Sequence, residues 1–255
     1  MKRYLPIFGF FLIVLAGCGG SKPASNMASP IEQRFSDGKK AYEEKNWLEA
    51  ISAFDDVRLQ GPASKYAAEA TFLEGMSRYY SETYISAAVD FRSVRRSYPS
   101  SDFAPRSQFM IAESYYQLSP RAELDQNYTQ YAINEYQTFL REYSNAKKEL
   151  LDSAEMRIAE LRNKLGQKIL LSAELYIKLL DTKSAIQYFG RVVETYYDTP
   201  SAVESQLRIA EVQYDRKKMK EAQEALGTFD EKFLGNSTKE QRERALKLRQ
   251  QLTLK

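Results

Sequence analysis

Ala50-Ile51-Ser52-Ala53-Phe54-Asp55-Asp56-Val57 sets a small residue and an aliphatic one ahead of an aromatic and a valine, each about one helical turn on. The arrangement returns as Ala87-Ala88…Phe91…Val94, as Ala132-Ile133…Tyr136…Phe139, as Ala185-Ile186…Phe189…Val192, and more weakly as Ala222…Leu226…Phe229. Offsets of three and four place these side chains on one face of an α-helix. A second small residue lies twelve positions upstream of four of these alanines, at Gly38, Gly75, Ala173 and Ala210. Gly38 to Gly75 and Ala173 to Ala210 are both steps of 37, and Ala112 continues the first series at the same step. Pro62 and Pro99 follow the first two alanine markers by twelve residues and cannot continue a helix. A generic helical bundle shares the three-and-four spacing, but not several markers at fixed offsets.

The pattern resembles the tetratricopeptide repeat, in which each unit is a pair of antiparallel helices. Small residues let the two helices approach, and the aromatic fills the groove between them. The expected fold is an all-α, right-handed solenoid of about five helix pairs with one elongated central helix. Two irregularities qualify it. Between Ala112 and Ala132 the gap is 20 rather than 12, which predicts a longer loop around Pro120–Gln126. Between Ala132 and Ala173 the gap is 41, against about 25 in a regular array. Lys147 to Lys168 fills it with helix formers and no proline, predicting one long helix, or two nearly collinear ones broken near Gly166, ending about Leu180.

Upstream of the repeats, Lys2 and Arg3 precede an apolar run from Leu5 to Leu15 and then Leu15-Ala16-Gly17-Cys18. Basic, apolar and small-residue segments in that order read as a secretory signal. With Cys18 the only cysteine of the chain, the site resembles a bacterial lipobox. That resemblance implies cleavage after Gly17 and an N-acyl, S-diacylglycerol lipid on Cys18; no other cofactor is expected. Gly19 to Pro30 is a Gly/Ser/Pro-rich tether reaching some tens of Å at most. The expected organisation is a signal peptide over 1–17, a lipidated tether over 18–30 and a first array of three repeats over 31–145. The long helix with repeats four and five occupies 146–236, and a capping helix 237–255.

Composition excludes most chemistry. No histidine occurs among 255 residues, which removes His-based acid–base catalysis, His-activated nucleophiles and most zinc sites. The Asp and Glu residues recur at surface helical spacings, so no enzyme is expected. A net charge of +3 with the two signs interspersed is no nucleic-acid footprint.

Lipobox, tether and five repeats together resemble the BamD (ComL/YfiO) family of outer-membrane β-barrel assembly lipoproteins. The closest local likenesses are Leu161-Arg162-Asn163-Lys164-Leu165-Gly166, Ser172-Ala173-Glu174-Leu175-Tyr176-Ile177-Lys178, and Tyr197-Asp198-Thr199-Pro200, whose proline is displaced from the family's position. The resemblance implies a lipid-anchored protein on the periplasmic face of the outer membrane. Implied partners are a BamA-like barrel protein bearing POTRA domains, unfolded outer-membrane protein precursors, and accessory lipoproteins. A repeat lipoprotein scaffolding peptidoglycan enzymes, or one capturing glycans, remains the alternative. The single tryptophan, Trp47, falls at a repeat-core position.

Counting from the small-residue markers, the inward-facing candidates of the first helices are Phe35, Lys39 and Tyr42, then Phe72, Met76 and Tyr79, then Phe109, Glu113 and Tyr116. An aromatic groove with a methionine suits an extended apolar peptide. Tyr176, Lys178, Arg191, Tyr196 and Tyr197, around the long helix and fourth repeat, are the candidates for docking a protein partner.

Overall fold

Gly38 and Gly75 sit where the two helices of a pair cross: a Cβ on either would lie 2.7 and 2.8 Å from the rings of Phe54 and Phe91. That close approach explains the marker pairs and repeats along the chain. The computed structural model describes residues 29–253 and gives, among these, eleven α-helices and one short 3₁₀ turn. The pairs are α1 (Pro30–Glu43) with α2 (Trp47–Gln60), α3 (Ala67–Tyr80) with α4 (Tyr84–Ser97), and α5 (Phe103–Leu118) with α6 (Asn127–Glu142). Then come α7 (Lys148–Lys178) with α8 (Thr182–Thr195), α9 (Pro200–Asp215) with α10 (Met219–Lys232), and α11 (Lys239–Thr253). The signal, Cys18 and nearly all of the tether lie outside the described residues.

Each helix packs on the next in sequence, and α1 meets α3, α3 meets α5 and α7 meets α9, while the even-numbered helices make no comparable contact across pairs. The odd-numbered row is the tighter one, so the solenoid curves with that row inside. The core follows the markers: Ala50, Phe54, Val57, Ala87, Phe91, Val94, Ala132, Tyr136, Phe139, Ala185, Phe189, Val192 and Phe229 are all fully buried.

Four of the five turns within pairs share a device that the spacing did not reveal. Lys45, Glu82, Leu180 and Lys217 adopt φ of 59–62°. The next residue then reaches back across the turn: Asn46 to the Ala41 carbonyl at 2.8 Å, Thr83 to Arg78 at 2.9 Å, Asp181 to Tyr176 and Lys218 to Gln213 at 3.0 Å. This left-handed cap satisfies helix-end carbonyls at non-glycine positions. The third pair lacks it and carries the expected longer loop, in which the Gln126 amide donates to the carbonyls of Arg121 (2.7 Å) and Leu124 (3.0 Å). A capping box opens α11: Thr238 Oγ1 accepts from the Gln241 amide, and Gln241 Oε1 from that of Thr238.

Of the two arrangements expected for the long insertion the structure has the single helix, and one other expectation is corrected. Helix α7 runs unbroken through Gly166 for 31 residues. The glycine is there for close approach: a Cβ would meet Ser201 Cβ at 3.1 Å, where the start of α9 lies on α7. Asn163 fixes that crossing, its Oδ1 accepting from the Ser201 amide (3.0 Å) and hydroxyl (2.8 Å). Trp47 is not in the repeat core; it lies half-buried at the start of α2, stacked on Tyr80 at 5.2 Å.

Candidate functional site

The inner row of helices divides the nine groove candidates in two. Phe35, Phe72, Met76, Phe109 and Glu113 are each at most 9% exposed, because the second helix of their own pair or the neighbouring pair covers their positions. Phe35 stacks on Tyr66 of the next unit at 4.8 Å, Phe72 meets Phe103 at 5.2 Å, and Phe109 meets Tyr136 at 5.7 Å and Phe139 at 5.5 Å. Rings so covered offer little area to a ligand. Lys39, Tyr42, Tyr79 and Tyr116 keep accessible surface.

Lys39 lies 3.5 Å from Glu69 and 5.6 Å from the Phe35 ring, on the wall of a depression of about 570 Å³ also lined by Glu32, Ser36, Lys40, Glu43 and Tyr66. Further along, Tyr42, Trp47, Tyr79, Tyr80 and Tyr84 form a contiguous aromatic group with centroids 5.2–6.2 Å apart. Burial, followed by the adjoining Tyr80, pushes the Tyr42 hydroxyl up to about 12. Tyr80 is 50% exposed, so the group presents a ring face to solvent. Trp47 and Tyr80 were not among the sequence candidates; their clustering depends on two turns closing beside each other, which helix spacing does not encode.

A polar node closes the third unit against α7. Glu113 accepts a hydrogen bond from Tyr136 and lies 3.5 Å from Arg157 Nε. Arg157 also donates to Tyr116 Oη at 2.7 Å and stacks on that ring at 4.0 Å, while Tyr116 donates to Glu160 at 2.7 Å. Burial, then the Glu160 carboxylate, pushes the Tyr116 hydroxyl up to about 12; burial and Glu113 hold Tyr136 well above the usual tyrosine range. These phenols stay protonated and donating at neutral pH. The node is a structural clasp on the inner face, with Tyr116 and Glu160 at its accessible edge.

The five docking candidates fall into two groups. Tyr176 packs on Tyr188 at 5.0 Å, the Arg191 guanidinium covers that ring at 5.3 Å, and Lys178 stands exposed at the end of α7. Tyr196 and Tyr197 lie beyond the other end of α8. Arg162 covers the Tyr196 ring at 5.5 Å and holds Asp198 at 2.7 Å, which keeps that carboxylate below its usual range. Tyr197, 68% exposed, borders a depression of about 290 Å³ with Asp198, Thr199, Pro200, Val203 and Asn236. Among the described residues no group of three or more His, Cys, Asp or Glu is placed to hold a metal ion.

Residues 27–230 match the family model described as YfiO, outer membrane lipoprotein. The outer membrane protein assembly factor BamD of Rickettsia prowazekii is 22% identical over 184 residues, covering 72% of either chain. Among solved structures, the TPR2AB domain of yeast Sti1 in complex with pHSP90 aligns over 86% of this chain and 98% of its own, at 15% identity and a TM-score of 0.43. The TPR domain of P58(IPK) aligns over 88% and 65%, at 17% identity and a TM-score of 0.42.

Proposed function

From the premise that this chain belongs to the YfiO family of outer membrane lipoproteins, we propose that it is the tetratricopeptide scaffold of a β-barrel assembly machine. In this reading Cys18 carries the lipid, the chain is anchored at the periplasmic face of the outer membrane, and the solenoid stands off on its tether. Its fourth and fifth repeats dock a POTRA-bearing barrel protein through the Tyr176–Arg191 and Tyr196–Tyr197 groups, and accessory lipoproteins join the same assembly. The inner face of the first three repeats receives unfolded barrel precursors.

The match over 27–230 carries the reading. The chemistry at the helix turns of the first two units agrees with it: Tyr42, Trp47, Tyr79 and Tyr80 form a broad aromatic surface. Aromatic rings give contact area at small rotamer cost, which suits extended segments of varied sequence.

The test is affinity purification of the C-terminally tagged chain from gently solubilised membranes, with mass spectrometry of its partners. A stoichiometric POTRA-bearing barrel protein supports the proposal. Recovery of cell-wall enzymes without such a protein refutes it.

A further inference from the structure

Helix α7 has one face that the array leaves bare. Lys164, Lys168, Leu171, Leu175, Lys178 and Leu179 fall at i, i+4, i+7, i+11, i+14 and i+15, and so share one side of the helix. Elsewhere in the solenoid, the second helix of one pair lies along the first helix of the next: α2 on α3, α4 on α5, α8 on α9. Helix α6 does the same for α7 only along its first half. The core it shares with α7 runs through Leu150, Ala154, Ile158 and Leu161 and ends at Leu165. The loop after α5 covers one more turn, where Lys164 donates to Ser119 Oγ (2.9 Å) and Lys168 to the Leu124 carbonyl (2.5 Å). Beyond it Leu171, Leu175 and Leu179 are 37, 55 and 64% exposed, with Leu124 beside their head at 50%.

This vacancy follows from the long insertion before Ala173. The insertion moves the fourth repeat along α7 and leaves its first helix without the neighbour that every other inner helix after α1 has. The stripe from Leu171 to Leu179 is about 12 Å long at 1.5 Å per residue, which one helix of two to three turns would span. Three lysines flank the leucines and none of them has an ion pair among the described residues, while Glu174, four residues before Lys178 on α7, is already held by Arg208 at 2.6 Å. An occupant that covers the leucines must also answer those cations.

We propose that the face of α7 from Lys164 to Leu179 docks an amphipathic helix of a partner protein, one that carries Asp or Glu beside its apolar stripe. The helix takes the place that a preceding repeat's second helix holds elsewhere in the array. This surface lies apart from the inner face, and the proposal stands whether or not precursors bind there.

The test uses the full chain in its own cells, with a photoreactive side chain at Leu175 and, separately, at Leu48, a residue of α2 that is 81% exposed. The expected result is a crosslinked product specific to Leu175. Its attached peptide maps to a helical segment with acidic residues beside an apolar stripe. Lys178→Glu should cut the yield at least tenfold while thermal unfolding stays unchanged. Several results overturn the proposal: no product above that at Leu48, a product with phospholipid, one with a second copy of this chain, an attached peptide without acidic residues, or a yield insensitive to Lys178→Glu.

Discussion

Arg157→Met tests whether the Glu113–Arg157–Tyr136 node is the clasp between the third unit and the long helix. Methionine keeps much of the apolar stem of the arginine but removes the cation. Glu113, 9% exposed, then loses the charge 3.5 Å away, and Tyr116 loses a 2.7 Å donor and the stacked guanidinium. Removing one partner of a buried pair costs about 3–5 kcal/mol. Arg157 is 29% exposed and Glu113 keeps the Tyr136 hydroxyl, so the expected loss is nearer ~2 kcal/mol. For an array of this size that lowers the melting temperature by about 4–8 °C. Thermal and urea unfolding by circular dichroism would measure it. Glu113→Gln on the Arg157→Met background removes the stranded charge and should recover about 1 kcal/mol, seen as coupling in a double-mutant cycle. A single-mutant loss under 0.5 kcal/mol, or strict additivity of the two changes, would refute the clasp.

Other outcomes follow from single contacts. Burial beside Glu74, only partly offset by Arg78 at 2.7 Å, pushes the Asp90 carboxyl up to about 7 from 3.8. A carboxyl whose folded value is raised holds its proton more tightly when folded, so its contribution to stability falls as pH rises from about 4 to about 7. The advantage of Asp90→Asn over the parent should therefore grow as pH rises, by ~1–2 kcal/mol between pH 5 and pH 8; a pH-independent difference in urea midpoints would contradict this. Gly75→Ala drives a Cβ to 2.8 Å from the Phe91 ring and should cost ~1–3 kcal/mol through overpacking, read as a lower urea midpoint. Arg244 ties α11 to α9 through Glu204 and Glu211, both at 2.9 Å. Arg244→Ala should speed hydrogen exchange in α11 while leaving α3 protected; equal protection in α11 would show that Leu248 and Leu252 hold the cap unaided.

Residue spacing alone determined the helix pairs, their order, the loop after α5 and the helical insertion before Ala173. Those features are local: a small residue at one crossing and an aromatic at the next must recur at a fixed separation for two helices to pack. The lack of histidine likewise removes His-based acid–base chemistry from this chain. The tertiary structure decided which side chains remain accessible. Phe72, Met76 and Phe109 share their register with accessible Tyr79 and Tyr116, yet they are buried: Phe72 lies between Phe91 of its own pair and Phe103 of the next, and Phe109 under Tyr136 and Phe139. Glu113 reads on spacing as a groove residue, and only the approach of α7 brings Arg157 to it. Gly166 looks like a helix break until α9 is seen packed against it. The aromatic group around Trp47 and the bare leucine stripe of α7 arise where separate units close together or fail to. Helical phase is written in three- and four-residue intervals, whereas the rotation and translation between successive pairs depend on every side chain at their interfaces.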